Sequence, residues 1–138
     1  MPMEQNLIAE ILSKSKTIAV VGLSSKISRP SHGVAAYMQA HGYRIIPVNP
    51  REAGSVILGE YCYPDLIAAA AEHRIDIVDC FRNAADIPPI VEEAIQIAAP
   101  YLWMQSGIVN AEAVAKAEAA GIKVVMDKCI KIEHLYQQ

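Results

Sequence analysis

With 138 residues and 15.0 kDa the chain has the usual size of one domain and is too short for two ordinary ones. Hydrophobic residues make up 53%, with one Phe and one Trp, so the core is aliphatic and a disordered or fibrous chain is excluded. The 12 basic and 15 acidic residues give a net charge of −3, without the basic surplus of a phosphate-backbone binder. General nucleic-acid binding is therefore disfavoured.

The chain opens on Leu7, Ile8, Ile11 and Leu12, spaced along one face. They predict a short amphipathic helix within residues 1–16, packing on the rest of the domain. An early acidic residue and the lack of an apolar run make this segment unlike a signal peptide. Residues 17–21 are a continuous apolar run ending at Gly22, as expected of a strand covered on both faces. Residues 30–41 predict a helix, with Pro30 in its first turn and Gly42 as its stop. A second strand spans 44–48, where Pro47 cannot donate to a ladder and belongs near a strand end or a break in pairing. A helix over 64–72 and a strand over 76–80 come next, then a helix from about Asp86 to Ala98 and a strand over 101–105. Asn110 caps the last expected helix, Glu112 sits in its first turn and Gly121 ends it, before a strand over 123–127.

Strands alternating with helices call for an α/β domain with right-handed crossovers. The expectation is a Rossmann-like, doubly wound, five-stranded parallel sheet of order 3-2-1-4-5 with helices on both faces. No apolar run approaches the roughly 18 residues of a membrane span. Cys62, Cys80 and Cys129 are an odd set without CxxC, which fits a reduced, cytoplasmic setting better than a disulfide framework.

Doubly wound sheets bind ligands beyond the carboxyl ends of their strands, at the switch point beside strand 1. Strand 1 is followed by a loop from Gly22 to Gly33 that contains Ser24, Ser25, Lys26, Arg29, Pro30 and Ser31. It lacks the GxGxxG pattern, and an ordinary polar turn is one reading. Lys26 and Arg29 beside a helix N-terminus favour another, because cations there oppose the helix dipole unless an anion visits. Strand 2 ends in Asn49-Pro50-Arg51, without the acid that an NAD ribose would want. Arg51 suits a phosphate on the adenosine ribose, as in NADP or coenzyme A, and a solvated arginine accounts for it equally. Phe81 could flank a ligand or simply fill core, and Arg82 beside it adds a cation. Strand 4 ends in Gln105-Ser106-Gly107, a polar group followed by a glycine that lets a ligand approach the backbone. Histidine spacing gives no metal motif, there is no GxSxG or phosphate-loop signature, and no catalytic constellation stands out.

Seven segments in order carry a resemblance: 20–24, 29–31, 46–51, 58–64, 79–82, 103–107 and 124–131. Together they resemble the small stand-alone coenzyme A-binding proteins. These in turn are similar to the coenzyme A-binding domain of the succinyl-CoA synthetase alpha subunit. The resemblance covers residues 17–134 and implies one coenzyme A-binding domain over 1–138. It implies that Gly22, Leu23, Ser24 and Ser25 line the pyrophosphate, with Arg29, Pro30 and Ser31 closing that side. Asn49, Pro50 and Arg51 would meet the adenosine and its 3′-phosphate, Phe81 and Arg82 would border the next crevice, and Gln105 and Gly107 would complete the rim. At Gly33 relatives often carry a bulkier, sometimes basic, residue. The ligases of that superfamily use further domains with no counterpart here, so the expected role is non-catalytic binding of coenzyme A or acyl-coenzyme A, with no nucleic acid or membrane partner. Two alternatives stand beside it: a small NADP-dependent oxidoreductase or nucleotide-binding regulatory subunit, and a redox protein using Cys80 and Cys129. No protein partner is legible.

Overall fold

The apolar runs of the sequence pair side by side. In the computed structural model, which describes residues 3–137, the strands are β1 (Thr17–Val21), β2 (Arg44–Val48), the two-residue β3 (Val56–Ile57) and β4 (Glu60–Tyr61), β5 (Ile77–Cys80), β6 (Tyr101–Met104) and β7 (Lys123–Val125). The helices are α1 (Met3–Lys14), α2 (Pro30–Ala40), α3 (Leu66–Glu72), α4 (Ile87–Gln96), α5 (Ala111–Ala119) and α6 (Ile130–Tyr136). Residues 1, 2 and 138, part of the expected N-terminal segment and domain, lie outside the described residues.

Five strands form one parallel sheet in the order β2-β1-β5-β6-β7. An isolated parallel bridge, Val48 to Tyr63, adds one position outside β2. Counted with that bridge, the sheet follows the expected 3-2-1-4-5 pattern, and β7 extends it. The run at 76–80, expected as the third strand, therefore takes the fourth position, beside β1. Burial explains the exchange: every residue of β5 is buried, which an outer edge cannot provide, whereas half-buried Tyr63 suits an edge. Pro47 fits here too. Its carbonyl accepts the Tyr63 N–H at 3.0 Å, so its missing N–H faces the outer side, where pairing is reduced to the bridge.

Alternation along β1 divides the core in two. Ala19 and Val21 pack with Leu66, Ile90, Val91 and Ala113 under α3, α4 and α5. Ile18 and Val20 pack with Ile8, Ile11, Met38 and Ile130 under α1, α2 and α6. Asn110 caps α5 as expected, its side chain accepting the Ala113 N–H at 3.0 Å. Two elements were not expected, the β3–β4 hairpin and α6. Among the described residues no helix is long and apolar enough to cross a membrane.

Register sets the functional edge. Val21 pairs with Val48 on one side and Cys80 on the other, so the exits from β1, β2 and β5 leave the sheet together. Gly22, Asn49 and Phe81 begin those exits.

Candidate functional site

Leu23 anchors the loop after β1, its side chain fully buried in the core rather than lining the cleft. Above it the polar side chains bind the loop to itself and to its neighbour. The Ser31 hydroxyl accepts the Ser24 N–H at 3.1 Å, and the Ser24 hydroxyl accepts the Lys26 N–H at 3.1 Å. Buried Asn49 donates from Nδ2 to the Leu23 carbonyl at 3.0 Å and accepts the Arg51 N–H at 3.0 Å. One side chain thereby fixes the loops after β1 and β2 relative to each other.

Gly22 has φ of 91°, and a Cβ there would lie 2.8 Å from the Phe81 carbonyl oxygen and 2.9 Å from Arg82 Cδ. The glycine is required by the close passage of the β5 exit as well as by its left-handed backbone.

These exits enclose a cleft of about 470 Å³ lined by Gly22, Ser24, Lys26, Arg29, Pro30, Ser31, Asn49, Arg51, Glu52, Phe81 and Arg82. Nine of the residues expected from the sequence meet there, together with Lys26. Leu23, Ser25, Pro50, Gln105 and Gly107 do not line it. Four cations converge, of which Lys26, Arg29 and Arg51 are exposed at the rim and Arg82 is half-buried and paired with Asp86 at 3.3 Å. The N-terminus of α2 opens on the same space through Arg29 and Pro30, with no side-chain cap and no acid in its first turn. An anion there meets both fixed charge and helix dipole.

Glu52 was not expected. The sequence offers no acid at the end of strand 2 itself, but Glu52, four positions beyond Val48, turns back and accepts the Ser25 N–H at 3.0 Å. Hydrogen bonding to Ser25 holds its carboxyl below the ordinary value, and the Lys26 charge adds to this. Ser25 thus points its amide at Glu52 across the cleft mouth. No local pattern marks this contact, which spans 27 positions in the chain.

A second cleft of about 490 Å³ adjoins the first, sharing Pro30, Phe81 and Arg82. Its other lining residues include Val34, Gln105, Ile108, Cys129 and Ile132. Gln105 is buried and tied from both ends. Its Nε2 donates to Asp79 at 2.5 Å, and its Oε1 accepts the Ile130 N–H at 3.2 Å. Burial raises the Asp79 carboxyl to about 7, against the opposing pull of the Gln105 bond. Gly107 lies outside both clefts, its N–H donated to Asp127 at 2.7 Å. Cys80 is fully buried, and burial followed by the neighbouring Asp79 pushes its thiol well above the ordinary value, which disfavours the thiolate. Among the described residues no group of three His, Cys, Asp or Glu could hold a metal ion.

The family model for the CoA binding domain matches residues 16–135. The uncharacterized protein YneT of Bacillus subtilis (strain 168) is 44% identical over 127 residues, covering 92% of this chain and 91% of YneT. A solved structure from Thermus thermophilus is 35% identical with a TM-score of 0.93, covering 99% of this chain and 100% of that one. A hypothetical protein from Pyrococcus horikoshii is 36% identical with a TM-score of 0.89, covering 99% and 95%.

Proposed function

The chain belongs to the CoA-binding domain family, and from that premise we propose that it binds coenzyme A or its acyl esters in the cationic cleft without catalysing a reaction. One observation carries the reading: Lys26, Arg29, Arg51 and Arg82 converge with the uncapped start of α2 at the switch point beside β1. A ligand with a pyrophosphate and a ribose phosphate matches that concentration of positive charge. The residues fit the group by position. The strand 1 loop and the start of α2 would hold the pyrophosphate, and Arg51 would hold the ribose phosphate. A binding role is supported by how the polar groups are used. Ser24, Ser31 and Asn49 hold backbone, and Cys80 is sealed in the core.

Calorimetry with coenzyme A, dephospho-coenzyme A and NADPH tests this. A charge-assisted contact is worth about 1.5–3 kcal/mol, so dephospho-coenzyme A should bind roughly tenfold to hundredfold more weakly. Arg51→Ala should lower coenzyme A affinity by a similar factor and remove the difference between the two ligands. Tight NADPH binding with none of coenzyme A would sink the reading in favour of a reductase.

A further inference from the structure

The second cleft raises a question that phosphate binding leaves open. It continues the cationic cleft along the strand ends through Pro30, Phe81 and Arg82. The rest of its lining sets the aliphatic side chains of Val34 from α2, Ile108 after β6 and Ile132 from α6 among Asn83, Gln105, Ser106 and Cys129. Ile132 is 46% exposed, a large apolar side chain left on the rim of a groove. Coenzyme A is strongly anionic at its nucleotide end and neutral along its arm. A ligand whose phosphates lie among the four cations has its thiol end free to run into the adjoining groove. A bare thiol has little use for three aliphatic side chains open to one cleft, whereas a hydrocarbon group attached to that sulfur would remove them from water.

We propose that the second cleft is an acyl compartment, and that the preferred ligands are thioesters of coenzyme A with short, uncharged aliphatic acids. The proposal rests on the coenzyme A reading and names the ligand class for that same site. Val34, Ile108 and Ile132 form the compartment wall. Gln105 acts as a positioning residue, because its ties to Asp79 and to the first N–H of α6 fix α6, and with it Ile132, against the end of β6. Cys129, partly exposed at the start of α6, lines the compartment and reports on its filling, while Cys62 and Cys80 are buried.

Two measurements test the proposal. Calorimetry compares coenzyme A, acetyl-, butyryl- and succinyl-coenzyme A. Each buried methylene is worth up to roughly fourfold in affinity. Butyryl-coenzyme A, with two methylenes more, should therefore bind several-fold and up to about fifteenfold tighter than the acetyl ester, with free coenzyme A and the charged succinyl ester behind it. Alkylation of Cys129 by iodoacetamide should be slowed more by the butyryl ester than by an equally saturating amount of coenzyme A. Ile132→Ser, at a half-exposed position that the core does not need, should bring the butyryl-to-acetyl ratio close to one. Equal affinities for coenzyme A and butyryl-coenzyme A overturn the compartment while leaving coenzyme A binding intact. Equal tightness of the succinyl and butyryl esters, or a ratio unmoved by Ile132→Ser, overturns it as well. Absence of binding by all four ligands overturns the coenzyme A reading itself, and the compartment with it.

Discussion

Glu52 faces four cations in the first cleft and accepts the Ser25 N–H at its mouth. A carboxylate in this place does to the loop what a ligand phosphate would do, since both are anions that accept a backbone N–H. On the coenzyme A reading, a phosphate held by this loop would compete with that contact and stand close to a carboxylate. A unit charge at about 4 Å in water is worth roughly 1 kcal/mol, or about fivefold in affinity. Glu52→Gln keeps the shape and removes the charge, so coenzyme A should bind about fivefold tighter at low salt, with the gain shrinking as salt rises. Titrations of parent and variant at two salt concentrations check this, and weaker binding by Glu52→Gln would show that the carboxylate serves the ligand instead.

The segment running from β1 into α2 holds two glycines with opposite demands. Gly22 has positive φ and backbone pressing on its Cβ position, while Gly33 lies within α2 with nothing within 4 Å of the Cβ that would be added. Gly22→Ala should cost about 1–3 kcal/mol through strain and displacement of the β5 exit. Gly33→Ala should gain about 0.5–1 kcal/mol from helix propensity. Urea unfolding of both variants measures the pair, and a neutral Gly22→Ala would break the argument from the Phe81 carbonyl. The same elements show what the sequence made legible. Five strands could be read because runs such as 17–21 and 77–80 are buried on both faces and are dominated by apolar residues. The β3–β4 hairpin could not, because two-residue strands have no period, although Leu58 and Gly59 at φ of 53° and 80° form its turn. Helix α6 is seven residues long and has no side-chain cap, so neither length nor capping announced it. Expected residues at the strand exits share the first cleft because register brings those exits together. Glu52 and the pairing of Gln105 with Asp79 depend on contacts across the fold that no spacing encodes.

At the scale of the whole molecule, Asp79, Gln105 and Ile130 form a chain of hydrogen bonds joining β5, the end of β6 and α6 through the interior. Asp79 is 1% exposed, and burial lifts its carboxyl from an ordinary value of 3.8 to about 7. Between about pH 4 and pH 7 the folded protein keeps a proton that the unfolded chain has released, so stability falls as pH rises through this window and levels off above it. A shift of this size corresponds to a loss on the order of 4 kcal/mol across the window. Glu52, held below its ordinary value, contributes in the opposite direction at lower pH, so the Asp79 effect is read as a difference between parent and variant. Asp79→Asn keeps an oxygen that can accept the Gln105 N–H and carries no charge at any pH. Urea unfolding at pH 5 and pH 8 should find the variant more stable than the parent by a modest margin at pH 5 and by a clearly larger one at pH 8, since the window opens near pH 4. A parent whose stability is level from pH 5 to pH 8, or a variant that keeps the parent's slope, would show that the buried carboxyl does not titrate here. In that case the network would hold α6 in place with a fixed protonation state.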